Sequence, residues 1–201
     1  MAVISIKNKT KSGSLLVGNA FYSPPIYDSI ATVTVGGGGA ADVEFTSIPA
    51  TYTHLQIRGI VKLSRTAGNE NLAMRFNSDT GSNYSFHQLI GNGATVSTDA
   101  GATQTYMYLG ETMGSWASAA SMFSPNVIDI LDYANTNKYK TIRTLEGGDQ
   151  NGNTAPNGDT GKMGFTSGNW RNTNAITSIK IYPTGGTISE YTTFALYGIK
   201  G

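Results

Sequence analysis

His54-Leu55-Gln56-Ile57-Arg58-Gly59-Ile60-Val61-Lys62-Leu63 is the stretch whose reading decides the fold class. Leu55, Ile57, Val61 and Leu63 share one parity, and His54, Gln56, Arg58 and Lys62 share the other. Successive side chains of a strand point to opposite faces, so this pattern describes a strand with one face in a core and the other in water. The same alternation recurs nearby. Val43 and Phe45 oppose Asp42, Glu44 and Thr46 over 41–48; Leu72, Met74 and Phe76 point inward over 71–77, and Tyr84, Phe86 and Ile90 over 84–90.

Further apolar runs fall at 29–35, 103–110, 126–133, 139–146, 162–167, 176–182 and 192–199. With turn signals every 8–12 residues or so, they bring the expected strands to about eleven. No segment sustains helical periodicity over the roughly 10–12 residues a helix requires, and 112–122, with Ala117, Ala119 and Ala120, is the one place for a short helix. The expectation for residues 28–201 is an all-β domain, a two-sheet antiparallel β-sandwich that is jelly-roll-like. A chain of 201 residues suits a single such domain.

Charged residues make up 13% of the chain, about half the usual share, and 25 glycines are more than average composition supplies. The surface is therefore built from Ser, Thr, Asn and Gly. With a net charge of +1 and one local basic cluster, Lys7, Lys9 and Lys11, no nucleic-acid partner is expected. The absence of cysteine excludes disulfides, thiolate metal sites and a Cys nucleophile. Near the N-terminus the longest apolar run is Leu15-Leu16-Val17, too short for a signal peptide or a membrane span, so synthesis and assembly in a cytoplasm without membrane insertion are expected.

Residues 1–27 read as an extended N-terminal arm. A period-two strand is possible over Met1 to Lys11, and Gly13, Gly18 and Pro24-Pro25 interrupt regular structure beyond it. The arm carries Ile4, Ile6, Leu15, Leu16, Val17, Phe21 and Tyr22, too much apolar surface for an inert linker. Those residues are the candidate partner-binding set. The arm either folds back on its own domain or anchors the protein to a neighbour, and the anchoring role is the reading adopted.

No chemical constellation stands out. Asp149, Asn151 and Asn153 match the first, third and fifth places of a calcium loop, but Thr154 and Thr160 stand where Gly and a bidentate Glu belong. No metal site or cofactor is expected. His54 and His87 lie on separate expected strands, and Asp129 and Asp132, three apart in one, point to opposite faces. Neither a Gly-x-Ser-x-Gly elbow nor a phosphate loop occurs, so no catalytic residue is assigned and no enzyme is expected. Tyr106 and Tyr108 are expected on one strand face, and Trp116 and Trp170 near loops are the candidate carbohydrate-stacking residues.

One likeness adds to this reading. The order Tyr27-Asp28-Ser29-Ile30-Ala31-Thr32-Val33, Phe45-Thr46-Ser47-Ile48-Pro49 and Tyr52-Thr53-His54-Leu55-Gln56-Ile57-Arg58 resembles small structural proteins of marine and cyanobacterial tailed phages. It continues through Arg75-Phe76-Asn77 and Asn83-Tyr84, closes with Phe194-Ala195-Leu196-Tyr197-Gly198-Ile199, and covers most of residues 27–201. The resemblance implies a place on the virion, assembled in the host cytoplasm, as a capsid decoration or tail-fibre component. It implies other virion proteins as partners, a homo-oligomer, and no catalytic motif. Two functional classes follow: a non-enzymatic structural protein that docks on a neighbouring virion protein, or a receptor-recognition module that binds a host-surface glycan.

Overall fold

The computed structural model describes residues 15–17, 20–22, 26–65, 70–112, 121–149 and 161–200. Among them the regular structure is all strand. Two short strands, β1 (Leu15–Val17) and β2 (Ala20–Tyr22), pair with each other as an antiparallel hairpin. The domain follows with β3 (Tyr27–Thr34), β4 (Val43–Phe45), β5 (His54–Val61), β6 (Glu70–Phe76), β7 (Tyr84–Gly91) and β8 (Val96–Gln104). It continues with β9 (Met107–Thr112), β10 (Ser124–Leu131), β11 (Lys140–Asp149), β12 (Gly161–Trp170), β13 (Ile179–Pro183) and β14 (Thr193–Ile199).

These twelve strands form two antiparallel sheets, an eight-stranded one in the order β3-β14-β5-β10-β11-β12-β7-β8 and a four-stranded one in the order β4-β13-β6-β9. The chain crosses between the sheets at each step except the β7–β8 hairpin and the β10–β11–β12 meander. This alternation is that of a jelly roll. At about 4.8 Å per strand the larger sheet overhangs the smaller. Strand β9 lies over β7, β11 and β12, while β8 stands beyond it with most of its residues exposed.

The core lies where the sheets face each other. Leu55, Ile57, Ile128, Ile130 and Ile142 from one sheet meet Leu72, Met74, Phe76, Ile179 and Ile181 from the other, all fully buried. The alternation expected of β5 and β6 is realised residue by residue: Leu55, Ile57 and Val61 point inward, and so do Leu72, Met74 and Phe76. The register fixes two ends of the larger sheet. Tyr27, His54, Leu131, Lys140, Trp170 and Tyr84 lie at the lower end; Thr34, Val61, Ser124, Asp149, Gly161 and Gly91 lie at the upper end.

Polar ties lock the lower end. The Trp170 indole N–H donates to Asp79 Oδ2 at 2.7 Å, Asn83 Nδ2 donates to the same oxygen at 2.9 Å, and the Gly81 N–H donates to Oδ1 at 2.8 Å. Burial alone would raise the Asp79 carboxyl, but these donors outweigh it and hold the group below its ordinary value. Phe76, Tyr84 and Trp170 pack their rings together above this turn, 5.3–6.3 Å between centroids. Lys140, also fully buried, donates from Nζ to the carbonyls of Asn135, Lys138 and Thr173, and burial pushes its ammonium below the usual lysine value.

Several expectations are corrected. The run 103–110 is two elements, because the chain turns at Thr105-Tyr106 between β8 and β9. Strand β8 went unforeseen: Val96 to Gln104 has no alternation, and it joins the sheet by backbone pairing to β7 alone. The expected strand 41–48 contracts to β4, and Asp132 sits in the turn after β10, with φ of 50°. Tyr106 and Tyr108 share no platform, since Tyr106 meets Tyr182 edge-on at 6.3 Å whereas Tyr108 stacks on Phe86 at 4.7 Å. The expected strand over 1–11 and residues 113–120 of the expected short helix lie outside the described residues.

Two isoleucines of one strand test the register. Ile57 is fully buried and Ile60 is 52% exposed on the opposite face. Ile57→Ala should cost about 2–5 kcal/mol through lost burial and a cavity, and Ile60→Ala under about 1 kcal/mol, in denaturant unfolding. Equal losses would contradict the register. Asp79→Asn should cost about 1–3 kcal/mol at neutral pH. Because the folded carboxyl titrates below its ordinary value near 3.8, its contribution is complete above that pH and lost as pH falls through the folded value. The gap between wild type and Asp79→Asn should therefore close in acid, and a gap independent of pH would contradict the account.

Candidate docking surface

The most informative feature of the larger sheet is a reversal of polarity along its central strands. At the lower end β7, β11 and β12 point Tyr84 and Phe86, Ile142, and Trp170 into the core. A strand keeps its parity, so the residues two, four and six places along must face the same way. Those residues include Gln88 on β7, Thr144 and Glu146 on β11, and Thr166 and Gly164 on β12, all buried. Their large apolar neighbours are turned outward. Leu89, Leu145, Met163 and Phe165, with Val96 on the edge strand, are 42–72% exposed.

Register makes these residues contiguous. Val127, Leu145, Phe165 and Leu89 are successive partners across β10, β11, β12 and β7, so they form one row on the outer face. The row above it runs Gly147, Met163, Gly91 and Val96, with exposed Pro125 and Ile60 paired beside it. An open groove of about 820 Å³ lies over the upper row, with Val127, Leu145, Gly147 and Met163 in its walls and Asp149 and Lys162 also lining it. A contiguous apolar surface of this kind is costly to leave in water, which makes it the candidate contact surface.

Below the apolar rows the outer face is polar. Gln56, Asp129, Arg143, Ser167 and His87 are successive partners in the next row down. Arg143 Nη2 donates to Asp129 Oδ2 at 2.7 Å, Gln56 Nε2 to Asp129 Oδ1 at 2.8 Å, and Arg58 Nε to Gln56 Oε1 at 2.9 Å. The Arg58 guanidinium also lies 5.4 Å from the ring centroids of both Tyr27 and Tyr197. This belt crosses the sheet from β3 to β11 and sets a sharp lower border to the apolar surface.

The inner face bears the other half of the reversal. Glu146 fits there only because its neighbours lack side chains: a Cβ on Gly110 would meet its carboxylate at 2.0 Å, and one on Gly164 at 2.6 Å. Gln88, Asn126, Thr144 and Thr166 carry buried polar atoms with no protein hydrogen-bond partner among the described residues.

Of the residues singled out in the sequence, Trp170 is corrected. It is fully buried in the aromatic cluster, so it presents no ring face to a sugar. Trp116, Ile4 and Ile6 lie outside the described residues; Leu15, Leu16, Val17, Phe21 and Tyr22 fall in the β1–β2 hairpin. Asp149 ends β11, while Asn151 and Asn153 lie outside the described residues. His54 accepts the Asp132 N–H at Nδ1, 2.9 Å away, and three strands separate it from His87. Asp129 faces outward to Arg143, and Asp132 pairs with Lys138 at 2.6 Å, an interaction that lowers its carboxyl. Sequence reading missed the surface itself; the signal was the pair Met163 and Phe165 alternating with Gly164 and Thr166.

The chain matches no protein-family model, no curated protein and no solved structure.

If the inner hydroxyls are held in by strand parity and not by bonds of their own, Thr144→Val and Thr166→Val should leave stability unchanged or raise it by up to about 1–2 kcal/mol in denaturant unfolding. A loss above about 1 kcal/mol at both sites would contradict this.

Proposed function

We propose that this protein is a non-enzymatic structural protein of the exterior of a tailed-phage particle, a capsid decoration or tail-fibre component, that docks on copies of itself and on neighbouring virion proteins. One observation carries the reading: the apolar rows on the outer face of the larger sheet, Leu89, Leu145, Phe165 and Met163, form a contiguous surface with no covering element among the described residues. The resemblance to phage structural proteins over most of residues 27–201 and the apolar N-terminal arm support it.

The glycan-binding alternative has less support. With Trp170 buried, the most exposed aromatic rings among the described residues are Tyr139 and Tyr191. The first leads into β11 at the lower end and the second precedes β14 at the upper end, so they do not converge on one site.

The test is incorporation. The double substitution Leu145→Lys, Phe165→Ser lies on the exposed face and should leave a folded, soluble protein. Its copy number in purified particles should fall at least tenfold, read by quantitative mass spectrometry against the major capsid protein. Normal incorporation of the variant, or absence of the wild-type chain from intact particles, would overturn the proposal.

A further inference from the structure

We infer that the groove at the upper end of the larger sheet receives the N-terminal segment of a second copy of this chain, so that copies join head to tail. The inference rests on the assembly reading above and names its contact.

The first ground is where the segment starts. The Lys200 N–H donates to the Ile26 carbonyl, and Tyr27 opens β3 opposite Ile199, so the chain joins the sandwich at the lower end of an edge strand. The groove lies at the upper end, between β10 and the β11–β12 pair. Four strand spacings, about 19 Å, and most of a strand's length, about 20 Å, separate the two. Twenty-five residues, at about 3.3 Å each, are long enough for either copy's groove.

The second ground decides between the copies. The direct path to its own groove over the outer face crosses the belt of Arg58, Gln56, Asp129 and Arg143. Laying an apolar chain on that belt would take paired charges out of water, which costs free energy without a compensating contact. A segment arriving from a copy stacked beyond the upper end passes Asp149 and Lys162, which also line the groove, and then meets the apolar rows without crossing the belt. The lower end of one copy then faces the upper end of the next.

The third ground is chemistry. Residues 1–25 hold Ile4, Ile6, Leu15, Leu16, Val17, Phe21 and Tyr22, and the hairpin pairs Leu16 with Phe21 across β1 and β2. A two-stranded hairpin alone is marginal in water, and an apolar groove on which to lie supplies the missing third layer. Because the donated and receiving surfaces differ, the contact is heterologous and generates a ring or a filament, not an isolated two-fold dimer.

The chain has no cysteine, so introduced thiols report single contacts. Full-length Leu16→Cys and full-length Met163→Cys, mixed and mildly oxidised, should yield a disulfide-linked pair. Adding Leu145→Lys to the Met163→Cys copy should lower that yield at least tenfold. A chain carrying both cysteines should form linked multimers. An internally closed monomer would show that the segment folds onto its own groove, and failure of the mixed pair to link would show that the groove does not take it; either result overturns the inference. Failure to link with incorporation intact refutes the head-to-tail contact alone, whereas linking without incorporation refutes the particle reading alone.

Discussion

Strand parity is the constraint on which the rest of this structure depends. At the lower end of the larger sheet, Tyr84, Phe86, Ile142 and Trp170 are fixed inward by the core, and the Asp79 turn clamps Trp170 and Asn83 together. Shifting any of these strands by one residue would expel that aromatic cluster. The upper halves inherit the parity, and Leu89, Leu145 and Phe165 must then face outward while Gln88, Thr144 and Thr166 face inward. A sequence selected only for a stable monomer would reverse those assignments, since each buried hydroxyl or amide without a partner costs about 1–3 kcal/mol. An outer face that is covered in an assembly removes the contradiction.

The division of the outer face follows from the same register. One row of side chains, from Gln56 through Asp129 to Arg143, is tied by hydrogen bonds and an ion pair, and the row directly above it is apolar from Val127 to Leu89. The lower half can face water unaided. The upper half gains about 25 cal/mol for each Å² of apolar surface covered. The border between them separates a half that needs cover from one that does not.

How far the sequence revealed this depended on how each strand is buried. Strands β5 and β6 face the core on one side along their whole length, so Leu55, Ile57, Leu72 and Phe76 were readable by alternation alone. Strand β8 was not, because an overhanging edge strand needs no apolar face and is held by its backbone pairing to β7. The docking surface was hidden for a different reason. Apolar residues outside and small or polar ones inside produce the same period of two as the usual arrangement, and only the register with Ile142 and Trp170 shows which face is which. Trp170 near a loop looked like a platform; its Asp79 partner lies 91 residues away, a contact that local spacing does not show.

The central claim is that the outer apolar face is covered when the protein is assembled, and Met163 reports on it directly. Met163 is 67% exposed on that face, whereas Met74 and Met107 are fully buried in the core. Sulfoxidation by dilute peroxide follows exposure. In the isolated chain Met163 should oxidise far faster than Met74 and Met107, and in intact particles its rate should fall at least tenfold towards theirs. Equal Met163 rates in the free and assembled protein would contradict the account.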